Sequence, residues 1–599
     1  MEKSLKKRSE VDVSFKWHIN DLYEKDVLWE RDVEEIKKQA NELAAYQGTL
    51  GQSASHLYDF LSKNDEIDKR MEKVYVYANQ KYHEDTGDSV YQDLCDKASN
   101  LMMQVKSQLS FIIPEILSIP EEKIQQFLKE EERLSVYKRM IDEVFRDKSH
   151  TLSTEMEELL AQVQEIADGP QNTFSMFNNA DIKFPVIQGE DGEEIEITHG
   201  RYTSLMESND RRIREQTFHG LYSSYKKYKN SLASLFATNV KKDIFYSKAR
   251  KYESSLEQAL NGSRIPKEVY TNLIAAVHEN LPSMYRYMEI RKRALGVEEL
   301  HMYDIYAPIV ADFKMEVPFE EAKKIVLEGL KPLGEEYAQV LQEGFNGGWI
   351  DVYENKGKRS GAYSWGAYGT HPFVLLNYQD NLNNVFTLAH EMGHAIHSYY
   401  SDKTQPYPYA GYRIFVAEVA STCNEALLMA HMIKNCTDKK QKAYLINYHL
   451  EQFRATLYRQ TMFAEFEMLA HEMAERGEAL TVDALCGLYY DLNKKYYGDN
   501  VIIDEDIAME WARIPHFYTS FYVYQYATGY SAAIALSRKI LTEGESAVHD
   551  YIHNFLCGGS SKDPIDLLKG AGVDMSTKQP VEEALCVFKD LVEQLDELV

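Results

Sequence analysis

No pair of cysteines in this chain is spaced Cys-x-x-Cys, and the six present, at 95, 423, 436, 486, 557 and 586, are scattered over 599 residues. That excludes a disulfide framework, and the thiols read as reduced, as expected of a cytoplasmic protein. No run approaches the 18 apolar residues that a membrane-crossing helix requires. The opening Met-Glu-Lys-Ser-Leu-Lys-Lys-Arg is followed by no apolar stretch, so neither a signal peptide nor a membrane partner is expected. Basic residues are scarce: 67 Lys and Arg stand against 94 Asp and Glu, a net charge of −27. Such a surface repels phosphate backbones, so nucleic acid is not an expected partner. Internal repeats and low-complexity segments are absent too, which excludes a solenoid.

What is present is helical. Apolar residues recur at helical spacing over Leu28–Gln47, Asn64–Asp85, Ser89–Ile113 and Thr154–Ala167, and again from Arg211 through Lys251. The exception is a predicted hairpin, in which Ile182–Ile187 and Glu194–Thr198 flank a turn at Gly189–Gly192. It marks a boundary between an N-terminal helical region, 1–185, and a larger catalytic region, 200–599. The length suffices for a large core and two or three domains.

Residues 390–394 read His-Glu-Met-Gly-His. On an α-helix two imidazoles four residues apart project from nearly one face, the spacing needed to grip one zinc ion. Glu391 then points toward the open coordination position, where it can take a proton from a bound water. Val385, Leu388, Ala389, Met392 and Ile396 form the buried stripe of a helix over Asn384–Tyr400, capped by Asn383 or Asn384. Gly393 costs about 1 kcal/mol inside a helix, which implies a close neighbour. Upstream, Pro372–Tyr378 is a strand candidate whose backbone is available to an extended peptide.

A catalytic zinc needs a third protein ligand. The pattern with a third histidine six residues on is excluded, because Tyr400 stands there; His397 reads as a core or supporting histidine. The next helix, 413–433, offers Glu418 and Glu425. From His394 to the helix end the chain climbs about 9 Å, and an antiparallel return has descended about 7–8 Å by Glu418 but about 18 Å by Glu425. Glu418 is therefore the expected ligand, and Glu425 can anchor a ligand histidine from behind.

The run Thr370-His371-Pro372-Phe373-Val374-Leu375-Leu376-Asn377-Tyr378, the pentapeptide, and Phe415-Val416-Ala417-Glu418-Val419-Ala420-Ser421-Thr422 resemble oligoendopeptidase F, a relative of thimet oligopeptidase and neurolysin. The resemblance spans most of the chain, from Trp17-His18-Ile19-Asn20-Asp21-Leu22-Tyr23 onward. It implies a mainly α, zincin-like fold with a small β-sheet beside the active-site helix and a deep substrate channel. It also implies an oligopeptide substrate. Family members carry a histidine, a Gly-rich loop and spaced tyrosines near the C-terminus. Here His516 matches the histidine, but Thr519-Ser520 replaces the glycine pair. Tyr522 is the favoured oxyanion donor, since a Tyr hydroxyl near neutral pH can donate to developing charge. Tyr526, Tyr518 and Arg513 are the expected substrate contacts.

The function so indicated is a zinc-dependent endopeptidase of short peptides, with Glu391 as general base and His390, His394 and Glu418 as ligands. A carboxypeptidase of similar architecture stays open, with Arg513 as the nearest cation for a C-terminal carboxylate. So does a non-catalytic peptide-binding protein, although binding alone needs no base at Glu391.

Overall fold

A computed structural model describes residues 5–310 and 315–599. The described residues are mainly helical, with three small sheets. The chain forms two compact units, each assembled from three stretches: Met1–Ser149, Lys314–His431 and Leu536–Gly572 in the first, His150–Phe313, Met432–Ala535 and Val573–Val599 in the second. Among the described residues no helix is long and apolar enough to cross a membrane.

In the first unit the helices Asp26–Ala44, Ala54–Glu84 and Ser89–Gln108 bury Trp29, Ile36, Leu57, Phe60, Tyr77 and Leu101 in one core. The Trp29 indole N–H donates to the Val74 carbonyl at 2.9 Å, so the buried ring leaves no polar atom unpaired there. The sheet beside the motif helix has Phe373–Leu375 as its middle strand. That strand pairs in parallel with Ile350–Asp351 and antiparallel with Tyr363–Trp365, in the register Ser364↔Val374. The strand expected at 372–378 is therefore present but hydrogen-bonded on both sides. The outer edge belongs to Tyr363–Trp365, where Gln80 Nε2 already donates to the Trp365 carbonyl at 2.8 Å.

The motif helix spans Leu382–Thr404. It starts earlier than expected because Asn381 is its cap, accepting the Asn384 N–H at 3.0 Å. The following helix spans Ile414–Asn435. A Cβ on Gly393 would lie 2.5 Å from Ser421 Cα and 2.9 Å from the Ala420 carbonyl oxygen, so the two backbones touch where the sequence places glycine. Asn424 ties them further, donating to the Ala389 carbonyl at 3.1 Å while its own oxygen accepts from Tyr337 at 2.9 Å.

In the second unit the hairpin is formed by Val186–Gln188 and Glu194–Glu196, with Gly192 at φ +78° in the turn. The long helical pattern after Arg211 divides into Arg211–Lys226 and Lys229–Ala249. Buried charge here is paired: Asp304 accepts from both Arg211 and Arg214, and Glu510 from Arg459 and Tyr489.

Candidate active site

The motif helix and its successor bring three ligating atoms into a near-equilateral triangle. His390 Nε2 and His394 Nε2 lie 3.2 Å apart, and Glu418 Oε2 lies 3.3 Å from the first and 3.4 Å from the second. Ligands about 2.0–2.1 Å from a tetrahedral ion stand about 3.3–3.4 Å from one another, so the triangle fits one zinc without rearrangement. His390, His394 and Glu418 form a group able to hold a metal. Glu425, two turns beyond Glu418, bonds Nδ1 of His390 instead. That contact keeps a proton on Nδ1 and leaves Nε2, facing the triangle, as the nitrogen that would give up its proton to a metal.

Electrostatics follow from the same crowding. Burial works against charge on His390, yet Glu418 and Glu425 outweigh it and push its pKa up to about 10. The two imidazoles hold the Glu418 carboxyl well below the usual range. Glu391 is buried; its desolvation raises its pKa, and the neighbouring histidines pull the other way. Its Oε2 is buried with no hydrogen-bond partner among the described residues, as expected of an acceptor waiting for a proton. His397 lies outside this group. It is buried, stacked on Tyr412 at 3.8 Å, and held neutral, with burial lowering its pKa to about 3.

The segment singled out near the C-terminus belongs to the second unit. His516, Tyr522 and Tyr526 stand together there, with ring centroids 5.5–6.1 Å apart. The Tyr526 hydroxyl lies 3.5 Å from His516 Nε2. Partial burial lowers the His516 pKa, which favours the neutral imidazole at pH 7. Tyr518 is buried and stacks on Phe174 at 4.4 Å. The Arg513 guanidinium lies 4.7 Å above the Tyr202 ring and 3.6 Å from Glu510. Two acids that the sequence reading did not single out, Asp243 and Glu467, hold the turn before Tyr522. The available signal for Glu467 was its place, with Glu465, among the apolar residues of 462–470; Asp243 had none.

A His-Glu-x-x-His helix completed by a glutamate from the next helix defines a metallopeptidase type of site, and comparison with known proteins agrees. Residues 204–587 match Peptidase family M3, and residues 115–184 match the family described as Oligopeptidase F. The chain is 50% identical over 592 residues to oligopeptidase PepF of Bacillus subtilis, covering 99% of this chain and 88% of that one. A solved chain from Chlamydophila abortus is 35% identical with a TM-score of 0.95, covering 100% of both chains. The oligoendopeptidase-F structure from Enterococcus faecium is 39% identical with a TM-score of 0.73, covering 96% of this chain and 99% of that one. The chain belongs to peptidase family M3. It is accordingly a metalloendopeptidase, a hydrolase of peptide bonds.

Proposed function

We propose that the protein is a zinc-dependent oligoendopeptidase that cuts internal bonds of short peptides. The observation that carries this reading is the triangle of His390, His394 and Glu418 with the unpartnered carboxylate oxygen of Glu391 beside it. The names of the relatives, oligopeptidase and oligoendopeptidase, support the restriction to short substrates. The match to Peptidase family M3 over 204–587 supports 200–599 as the catalytic region, with 1–185 as an N-terminal helical region. Six free cysteines support a reducing, cytoplasmic setting.

Zinc held by His390, His394 and Glu418 would supply a Lewis acid able to acidify a water and polarise the scissile carbonyl. Glu391 takes the proton of the attacking water and hands it to the leaving amine. Burial raises its pKa, which favours its taking up the proton it must then pass on. Glu425 holds His390 in the tautomer that offers Nε2. Tyr522 and neutral His516 donate to the oxyanion as it forms, and Tyr526 contacts the peptide. Tyr518, stacked on Phe174, and Arg513, held over Tyr202, are the further substrate contacts assigned to that segment.

A digest of mixed peptides, blocked and unblocked at the C-terminus, tests the reading when products are identified by mass spectrometry with and without chelator. Internal cleavage of blocked peptides that stops on chelation and returns with zinc is expected. Release of single C-terminal residues from unblocked peptides alone would overturn it in favour of a carboxypeptidase.

A further inference from the structure

Phe521 has φ +60°, a left-handed backbone that a bulky aromatic residue rarely adopts. It stands immediately before Tyr522, between the short helical turn Pro515–Tyr518, which carries His516, and the helix Tyr524–Glu543, which carries Tyr526. Such a conformation persists only where its surroundings impose it. The surroundings here come from two helices, each contributing a polar pair one turn apart: Asn239 and Asp243 on Lys229–Ala249, Glu467 and His471 on Arg459–Glu475.

The bonds of this group run to the turn or among its own members, and Lys242 closes it from the side by donating to Asn239 Oδ1 at 2.9 Å. The Phe521 N–H donates to Glu467 Oε1 at 3.1 Å. The Ser520 hydroxyl donates to Asp243 Oδ2 at 2.6 Å, and His471 Nε2 lies 3.2 Å from the same oxygen. His471 Nδ1 sits 2.8 Å from the Glu467 carbonyl, and its ring lies 4.4 Å from that of Phe521. Asn239 Nδ2 bonds both Ser520 Oγ and the Phe517 carbonyl at 3.2 Å. Glu467 and Asn239 are fully buried. A buried acid is costly unless it does something for the fold or the site, and among the described residues this carboxyl's one hydrogen bond is to the strained residue. Burial raises its pKa well above the ordinary value, working against charge at this position.

We propose that Glu467, with Asp243 acting through Ser520, is a positioning residue that holds Phe521 in its left-handed conformation and thereby sets Tyr522 against His516 and Tyr526 for catalysis. This rests on the assignment of Tyr522 as an oxyanion donor. The hydroxyl of Tyr522 does its work only at one place, and a rotation at the preceding residue moves the whole side chain. The latch replaces, by hydrogen bonds to a non-glycine turn, the permissiveness that glycine would give for nothing.

The test is a kinetic cycle on the zinc-loaded enzyme with folding checked by thermal melts and zinc by metal analysis. Glu467→Ala is expected to lower kcat at least about tenfold with KM little changed, because a displaced donor is a transition-state loss. Glu467→Gln, whose amide oxygen accepts the same N–H, should stay close to wild type. Adding Phe521→Gly to Glu467→Ala should restore activity, since glycine takes positive φ unaided. Glu467→Ala combined with Tyr522→Phe should be no worse than Tyr522→Phe alone, because one acts through the other. Wild-type kcat in Glu467→Ala beside an impaired Tyr522→Phe, or losses that simply multiply, would overturn the inference while sparing the tyrosine. Wild-type kcat in Tyr522→Phe would instead remove the tyrosine's role, and the latch's catalytic purpose with it. Should Glu467→Ala fail to fold, Ser520→Ala, which frees the same turn from Asp243, carries the same comparisons.

Discussion

Glu425 bonds the Nδ1 of His390 from the helix that also supplies Glu418 to its Nε2. One imidazole is thus fixed from both sides by carboxylates two turns apart, and the outer contact selects the tautomer that can bind metal. Removing it should leave the triangle in place but loosen it. Glu425→Ala is expected to weaken zinc about 10–100-fold, measured by competition with a chromogenic chelator. Unchanged affinity would show that His390 needs no support.

The contact at Gly393 leads to a second expectation. The helices approach closely enough that a methyl group would sit 2.5 Å from Ser421 Cα. Gly393→Ala adds helix propensity worth about 1 kcal/mol, but it must also push the backbones apart. Overpacking costs about 1–3 kcal/mol, so net destabilisation is expected, together with weaker zinc because Glu418 rides on the displaced helix. A variant with a raised Tm and full zinc occupancy would show that the close approach is not needed.

How much of this was open to inspection in the chain depends on how local each feature is. His390, Glu391 and His394 were readable because helical periodicity alone puts them on one face. Glu418 could be preferred to Glu425 because rise per residue is fixed, and the structure sets Glu418 beside His394 and Glu425 behind His390. The hairpin was readable from its glycines. The break between Lys226 and Lys229 was not, since no proline or glycine marks it. Nor was the strand order 350–351, 373–375, 363–365, in which non-local pairing takes up the strand expected to be open. The positive φ of Phe521 lay outside sequence reasoning altogether, because its cause is a carboxylate 54 residues away. The interleaving of two units from six stretches was equally hidden, being a property of tertiary contact alone.

Glu391 separates chemistry from binding. Glu391→Gln keeps size and hydrogen-bonding capacity but cannot take a proton. Zinc content and peptide affinity should persist while kcat falls at least about 10²-fold. Activity within a few-fold of wild type would mean that another group is the base.

His449 makes stability depend on pH. It is buried, its Nδ1 has no partner among the described residues, and burial lowers its pKa from 6.5 to about 4. The folded pKa lies below the unfolded one, so its contribution is complete above pH 6.5 and is lost as pH falls toward 4. At pH 5 the loss is about 2 kcal/mol. Thermal melts of the wild type should show Tm falling from pH 7 to pH 5, and His449→Leu should flatten that fall. An equally steep dependence in the variant would place the acid sensitivity elsewhere.

The tyrosine segment gives the sharpest division of roles. Tyr522→Phe deletes one hydroxyl and keeps a ring that stands 5.5 Å from Tyr526 and 6.1 Å from His516, so packing should survive. Loss of one oxyanion donor costs about 10²–10³ in kcat, or about 2.7–4 kcal/mol. If Tyr522 is that donor, kcat and kcat/KM fall together while KM stays, the pattern of an interaction made only in the transition state. Tyr526→Phe, which removes a contact already made in the bound state, should chiefly raise KM. His516→Ala should impair one or both without releasing zinc, since His516 is not among the proposed ligands His390, His394 and Glu418. Steady-state kinetics of the three variants decide the matter. A reversed pattern at 522 and 526 would exchange their roles. Near-wild-type kinetics in all three would leave the oxyanion to zinc alone.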